Sequence, residues 1–285
     1  MSSIYTLETD IRNLLTTKNW FTKSLQKELG EAVSSRIKAQ YEEVKTPLLR
    51  LSKMGPQCPK ALWHSIHTPE LAEPLGHWVQ NKFTIGNFWE AYGLILCKAA
   101  GHKVEGEQDE LVLDGIKGHR DAVVDGCVLD FKSCSSRQYQ KFKLKTLAND
   151  DPFGYLDQLD GYVVASMADS LVTVKDRGFF FAIDKQMGHM NVYEHIVRTG
   201  SIIERIKEYK SVVERNDPPQ CTCETTSFGA SGNIKLDIRA SYSPFKWTCF
   251  PNLRCFLYEA GPIYLTKIMR KPDVREVDKF GNIIN

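Results

Sequence analysis

Apolar residues recur at helical spacing among many Lys and Glu through residues 5–50, where Gly and Pro are scarce, and this predicts a helical N-terminal part. The stretch Met54-Gly55-Pro56-Gln57-Cys58-Pro59 breaks it. A short helical segment, ALWHSIH, follows, and then a looser Pro- and Gly-containing connection to about Lys82. From Ile85 to Ala100 the run IGNFWEAYGLILCKAA predicts a strongly apolar, buried helix that Gly101 ends. Strand patterns come next, in HKVEGEQ, ELVLDGIKGHRDAVVDG and CVLDFKSCS, with Asp125-Gly126 as a turn between the last two. Pro152 fits the first turn of a further helix, Pro152–Ala168. Strands resume at GFFFAID and HMNVYEHIV, a hairpin around Gln186-Met187-Gly188. A helix over Ser201–Arg215 ends at Asn216-Asp217-Pro218-Pro219. Helix, strands, helix, strands predicts an α/β (α+β mixed) fold, a central mixed β-sheet flanked by helices. No repeat or low-complexity tract divides the chain. Residues 1–82 read as a helical N-terminal region carrying Cys58, 83–215 as the core, and 216–285 as a cysteine-bearing segment packing back on the N-terminal region.

Composition narrows this picture only a little. The 285 residues are 42% hydrophobic and 25% charged, ordinary for a soluble globular protein, and can bury a core of normal size. A formal net charge of +2 means that any surface for a polyanion is a local patch. No apolar run approaches the roughly 18 residues needed to span a bilayer. MSSIYTLETDIRN has no basic segment leading into an apolar one, so a cytoplasmic protein without a membrane partner is expected. The eight cysteines then read as reduced thiols or metal ligands rather than disulfides.

The chemistry gathers in GHRDAVVDGCVLDFK, Gly118 to Lys132. Asp130 and Lys132 lie two apart on one strand and so share a face. A hairpin through Asp125-Gly126 brings Asp121 across to join them. Two carboxylates and an amine form a site for a divalent cation and a phosphate. Asp121, Asp130 and the backbone carbonyl of Phe131 are candidate ligands for Mg²⁺ or Mn²⁺. Lys132 orients the attacking water or stabilises charge at phosphorus. Glu90 is the candidate third carboxylate, because it is a charge inside an otherwise apolar run and a buried charge needs a partner.

These residues fall into an ordered pattern over roughly 83–165: Gly86 and Glu90 on a helix, Gly118-His119-Arg120-Asp121, Asp130-Phe131-Lys132, and Gln158-Leu159-Asp160-Gly161-Tyr162. In that order they resemble the PD-(D/E)XK nucleases, and within them the RecB-like exonuclease group. Glu90 stands where members often carry His. The resemblance implies a restriction-endonuclease-like core and adds Gln158 and Tyr162 to the catalytic set, lining the DNA side of the site.

The resemblance also bears on the cysteines. An iron–sulfur subset, the AddB and CRISPR-associated types, has one cysteine upstream of the core and three downstream, the last two often separated by five residues. Here Cys58 lies upstream, and Cys249 and Cys255 bracket five residues. The remaining thiolate is Cys221 or Cys223, with a long insertion looping out after it. Four thiolates satisfy a [4Fe–4S] cluster and equally a structural Zn²⁺, for which His64 and His67 are further candidates. Cys97, Cys127 and Cys134 sit in apolar or strand-like segments and read as packing residues.

After the hairpin, basic and aromatic residues alternate in SCSSRQYQKFKLK. Ser133, Arg137, Tyr139, Lys141 and Lys143 are candidate DNA contacts, the cations for phosphate and Tyr139 for stacking on a base. No GxxxxGK[ST] loop is present, so no ATP motor is expected in this chain. The resemblance therefore implies a metal-dependent DNA exonuclease acting on single strands or duplex ends, in recombination, repair or phage DNA metabolism. A helicase, recombinase or single-strand-binding partner fits that setting, in the cytoplasm of a bacterial or phage-infected cell. Two other readings stay open. One is an endonuclease of restriction or nicking type, against which the QxxxY element argues. The other is a catalytically silent DNA-binding or assembly module, against which the intact Asp121, Asp130 and Lys132 set argues.

Overall fold

The structure, a computed structural model, describes residues 2–42 and 46–284. Met1, Asn285 and residues 43–45, the last within the stretch expected to be helical, lie outside the described residues. Four helices come first: α1 (Leu7–Leu15), α2 (Lys23–Glu42), α3 (Pro59–His67) and α4 (His77–Ala99). Strands β1 (Val104–Glu105), β2 (Glu110–Leu113), β3 (Ile116–His119), β4 (Ala122–Val124) and β5 (Cys127–Cys134) follow. Then come α5 (Ser136–Lys143), α6 (Tyr155–Ala165), β6 (Arg177–Asp184), β7 (Met190–Ile196) and α7 (Thr199–Val213). The rest of the chain forms β8 (Thr225–Phe228), β9 (Asn233–Leu236), α8 (Ile238–Tyr242), α9 (Lys246–Cys249), β10 (Arg254–Tyr258), β11 (Gly261–Lys267), β12 (Glu276–Val277) and β13 (Ile283–Ile284). Among the described residues no helix is long and apolar enough to cross a membrane.

The chain divides into two compact units, one of residues 1–45, 49–55 and 76–203, the other of 46–48, 56–75 and 204–285. The first holds a five-stranded sheet in the order β1-β4-β5-β6-β7, with β5 and β6 parallel and the other pairs antiparallel. It is the mixed sheet that the pattern predicts. Helices cover both faces, so the central strands read as unbroken apolar runs rather than as alternation. Phe179, Phe180 and Phe181 of β6 are all buried. Phe179 and Phe181 pack with Leu129 and Phe131 of β5, with Leu94 and Cys97 of α4 and with Leu7 and Ile11 of α1. Phe180 faces the other way, 5.4 Å from the Phe142 ring of α5. Each such side chain contributes about 1.5–3 kcal/mol by leaving water. Gly93 of α4 sets how near that helix comes, since a Cβ there would strike the Phe131 ring.

Several boundaries differ from the sequence expectation, each for a local reason. Up to Glu42 the stretch expected to be helical is two helices, because the backbone turns at 16–22 through Asn19, at φ 61°, and residues 46–50 are not helical. The buried helix starts at His77 rather than Ile85, so residues 77–82 are helix and not connection. Pro152 stands outside α6, which begins after Gly154 at φ 67°. HKVEGEQ contributes only the two residues of β1. Asp121 stands one residue before β4 instead of within a strand.

The second unit is built on an antiparallel sheet in the order β13-β12-β10-β11-β9-β8. Arg254 of β10 grips Glu276 of β12 through two bonds of 2.6 Å. Helix α3 is fixed at its Trp63, whose Nε1 donates to the Arg215 carbonyl at 2.9 Å. A small apolar cluster of Ala61, Phe245 and Cys249 surrounds Cys58, Cys221 and Cys223.

Candidate functional site

The turn between β4 and β5 sets the register on which the site depends. Asp125 and Gly126 both take left-handed angles, φ 51° and 80°, as a tight two-residue hairpin requires. Val124 then pairs with Cys127 and Ala122 with Leu129, so Asp121 comes level with Asp130. The Asp125 carboxylate holds the turn by accepting from the Lys103 amide at 3.0 Å and pairing with His102 Nδ1 at 2.6 Å. Ahead of Asp121, Arg120 is buried and its Nη2 pairs with Asp109 at 2.7 Å and Asp169 at 2.6 Å. That anchor aims the next side chain into the site. Asp121 Oδ2 accepts the Phe131 amide at 2.7 Å. Within a strand the N–H and C=O of one residue point to the same edge, so the Phe131 carbonyl also faces the gap where β4 has ended.

Asp130 and Lys132 share one face of β5, and their charged atoms stand 2.6 Å apart. Lys132 Nζ also donates to Gln158 Oε1 at 3.1 Å, and Gln158 Nε2 donates to the Tyr162 hydroxyl at 2.8 Å. The chain Asp130–Lys132–Gln158–Tyr162 thus links the strand to α6. Gly118 makes room for it, since a Cβ there would lie 2.7 Å from Leu51 Cβ and 3.1 Å from the Tyr162 ring. Lys132 Nζ lies 4.9 Å from the centre of the Tyr155 ring. Tyr155 escaped the sequence reading, although its place three residues before Gln158 puts it on the same helix face. Burial works against the Lys132 charge, but Asp130 and Asp121 outweigh it and hold the ammonium above its ordinary pKa. Burial beside the same two carboxylates pushes the Tyr162 hydroxyl up.

Glu90 reaches the site from α4. Its Oε1 accepts from Arg36 Nε at 3.1 Å, Arg36 Nη2 at 3.0 Å and Gln108 Nε2 at 2.7 Å. Arg36 lies among the ordinary charges of α2, where nothing in the sequence marks it. Gly86 is less constrained than its place in the pattern suggests, since a Cβ there would meet only Ser133 Oγ at 4.0 Å.

The donor set suits a hard cation. Desolvation, first of all, lifts the carboxyls of Glu90, Asp121 and Asp130 above their ordinary range. Repulsion adds to it, from Asp130 on Glu90 and from both neighbours on Asp121. Asp130 Oδ2 is buried, and although it lies close to Lys132 it has no partner in hydrogen-bonding geometry. A positive ion among these oxygens relieves all three penalties. Asp121, Asp130 and the Phe131 carbonyl are placed to hold it, with Glu90 in electrostatic reach. The three carboxylates do not form a closed cage. Among the described residues, the ligand atoms that all lie within 4.8 Å of one another belong to four cysteines.

In the segment after β5, Tyr139 does not fit its expected role. Tyr139 is buried and its hydroxyl donates to the Met190 carbonyl at 3.0 Å, so it is a core residue that cannot stack on a base. Its ring lies on the inner face of the amphipathic α5, which the alternation of basic and aromatic residues concealed. Lys141 is tied to Asp150 at 2.6 Å. Ser133 is half-buried, while Arg137 and Lys143 are exposed.

In the second unit the four gathered cysteines are Cys58, Cys221, Cys223 and Cys249, a group able to bind a metal. Both Cys221 and Cys223 take part, and Cys255 does not. Cys255 is buried in β10, paired with Tyr264 and Val277 across the sheet, and burial pushes its thiol up to about 11. His64 and His67 are not in the group either: His64 Nδ1 pairs with Thr68 Oγ1 and His67 Nε2 with the Val213 carbonyl, each at 2.7 Å. Cys97, Cys127 and Cys134 are buried, and desolvation raises the thiols of the latter two to about 11 and about 12.

No protein-family model matches the chain. No curated protein matches it. Among solved structures it is similar to SSO0001, with a TM-score of 0.41 and 12% identity, over 80% of this chain and 97% of that one. It is also similar to LHK-Exo, an alkaline exonuclease from Laribacter hongkongensis, with a TM-score of 0.40 and 13% identity, over 65% of this chain and 90% of that one. The same exonuclease in complex with dAMP gives a TM-score of 0.37 and 11% identity, over 63% and 90% of the two chains. Likeness at this level assigns no residue a role.

Proposed function

We propose that this chain is a metal-dependent deoxyribonuclease of exonuclease type, a PD-(D/E)XK enzyme of the RecB-like group that hydrolyses phosphodiester bonds at DNA ends or in single strands. The observation that carries the reading is the meeting of Asp121, Asp130 and Lys132 where β4 stops short against β5. There the buried Asp130 carboxylate stands against the Lys132 ammonium at 2.6 Å, and Phe131 turns its carbonyl to the same gap. A bound Mg²⁺ or Mn²⁺ supplies charge neutralisation at a phosphate oxygen and a more acidic water. Asp121 and Asp130 hold the ion, and Glu90, steadied by Arg36 and Gln108, completes the acidic wall. Lys132 keeps its proton beside two carboxylates, so it acts as a cation that stabilises charge developing at phosphorus. Gln158, bonded to both Lys132 and Tyr162, fixes where that ammonium stands.

Exposed side chains of the first unit suit DNA contacts. Arg137 and Lys143 are exposed on α5 for phosphate. Trp78 and Phe88 are exposed on α4, the helix that carries Glu90, and suit base stacking. A cytoplasmic setting with a helicase, recombinase or single-strand-binding partner agrees with a chain that has no ATP-binding loop. The test is digestion of linear and covalently closed circular DNA with Mg²⁺. Loss of linear DNA alone is expected. Cutting of the circles makes the enzyme an endonuclease, and no digestion of either makes the chain a binding module.

A further inference from the structure

The four cysteines of the second unit sit too close together for the cluster that their resemblance suggested. Cys58 Sγ lies 3.7 Å from Cys221 Sγ and 4.0 Å from Cys249 Sγ, and all four sulfurs fall within 4.8 Å of one another. A tetrahedron's edge is about 1.63 times its centre-to-corner distance, so zinc–thiolate bonds of ~2.3 Å set sulfurs about 3.8 Å apart. The first two separations straddle that value. In a four-iron cube each thiolate instead caps a different iron at an outer corner, which spreads the four sulfurs well beyond the ligands of a single ion. The ligand set disagrees as well. The iron–sulfur pattern calls on the cysteine pair separated by five residues, Cys249 and Cys255, yet Cys255 is committed to the β10 sheet.

From this disagreement we infer that Cys58, Cys221, Cys223 and Cys249 bind one tetrahedral Zn²⁺ and do not hold an iron–sulfur cluster. The four ligands arrive from three places in the chain. Cys58 precedes the Pro59 that opens α3, Cys221 and Cys223 flank Thr222 in a loop ahead of β8, and Cys249 ends α9. Ala61, Ala72, Phe245 and Phe250 surround the sulfurs with apolar atoms. Binding expels the thiol protons and makes four zinc–sulfur bonds, with no change of oxidation state. The ion then joins segments far apart in sequence into one small unit whose apolar clusters are modest. The inference is independent of the hydrolytic reading and survives if that reading fails.

The test is metal and acid-labile sulfide analysis of the full chain purified without oxygen. The expected result is about one zinc per chain, no sulfide and no visible colour. Stoichiometric iron, with or without sulfide, overturns the inference, and so does protein that neither contains zinc nor takes it up after reduction. Cys255→Ser is expected to keep the zinc, whereas Cys221→Ser and Cys223→Ser each lose at least tenfold in zinc affinity in competition with a chromophoric chelator. Should the latter variants fail to fold, Co²⁺ exchanged into the wild-type chain gives the same information. Its visible bands report tetrahedral thiolate coordination, and their absence contradicts the site.

Discussion

The carboxyl of Asp121 is held well above its ordinary range, because burial and two neighbouring carboxylates all oppose its charge. That makes it a liability to the metal-free protein. A carboxyl whose folded pKa lies above the unfolded value, about 3.9 for Asp, binds its proton more tightly when folded. Stability therefore falls as pH rises from the unfolded value through the folded one, and the loss is complete above that window. Asp121→Asn removes this component. In EDTA the variant is expected to melt above the wild type at pH 7, with the difference shrinking toward pH 4. Mg²⁺ is expected to raise the wild-type Tm and to do little for the variant. Thermal melts across pH, with and without Mg²⁺, check this, and a variant that melts lower than the wild type in EDTA at pH 7 contradicts it.

At the scale of elements, the positions of β5 and α6 decide the site. The fixing of α6 depends on Asp160, which is fully buried between its two pattern residues. Asp160 pairs with His195 Nε2 at 2.7 Å and accepts the Arg198 amide at 3.1 Å and its Nε at 2.8 Å. Asp160→Ala leaves these groups without their partner and is expected to cost about 3–5 kcal/mol in urea unfolding. A cost below about 1 kcal/mol shows that α6 is held by its apolar face alone. The sequence made β5, β6 and the Asp125-Gly126 turn legible, because an apolar run and a left-handed dipeptide act locally. The same local logic placed Asp121 opposite Asp130. Arg36, Gln108 and Tyr155 were harder to find, since each owes its place to tertiary packing and two of them look like ordinary surface residues. Tyr139 misled for the opposite reason: a basic segment with interleaved aromatics is also what an amphipathic helix with a buried ring looks like. The cysteine pairing misled because equal spacing in sequence does not keep Cys255 off a strand.

For the whole molecule, a net charge of +2 means that the proposed attraction to DNA would rest on a few local cations. Arg137 and Lys143 are exposed on one short helix. Replacing both by Ala is expected to weaken binding of a single-stranded oligonucleotide about equally across sequences. It should also make the slope of log K against log salt shallower by about 1 for each phosphate that the protein no longer neutralises. Unchanged affinity and slope place the nucleic-acid track elsewhere on the first unit. The central claim concerns the end of β5, where two aspartates and one ammonium meet. Its most direct measurement is Mg²⁺-dependent release of acid-soluble nucleotides from linear DNA by the wild type and by Lys132→Ala. The variant is expected to retain the wild-type circular dichroism spectrum and to lose roughly 10²–10³ in rate, the usual effect of removing one charge-stabilising donor. A variant that folds and releases nucleotides at the wild-type rate contradicts the account.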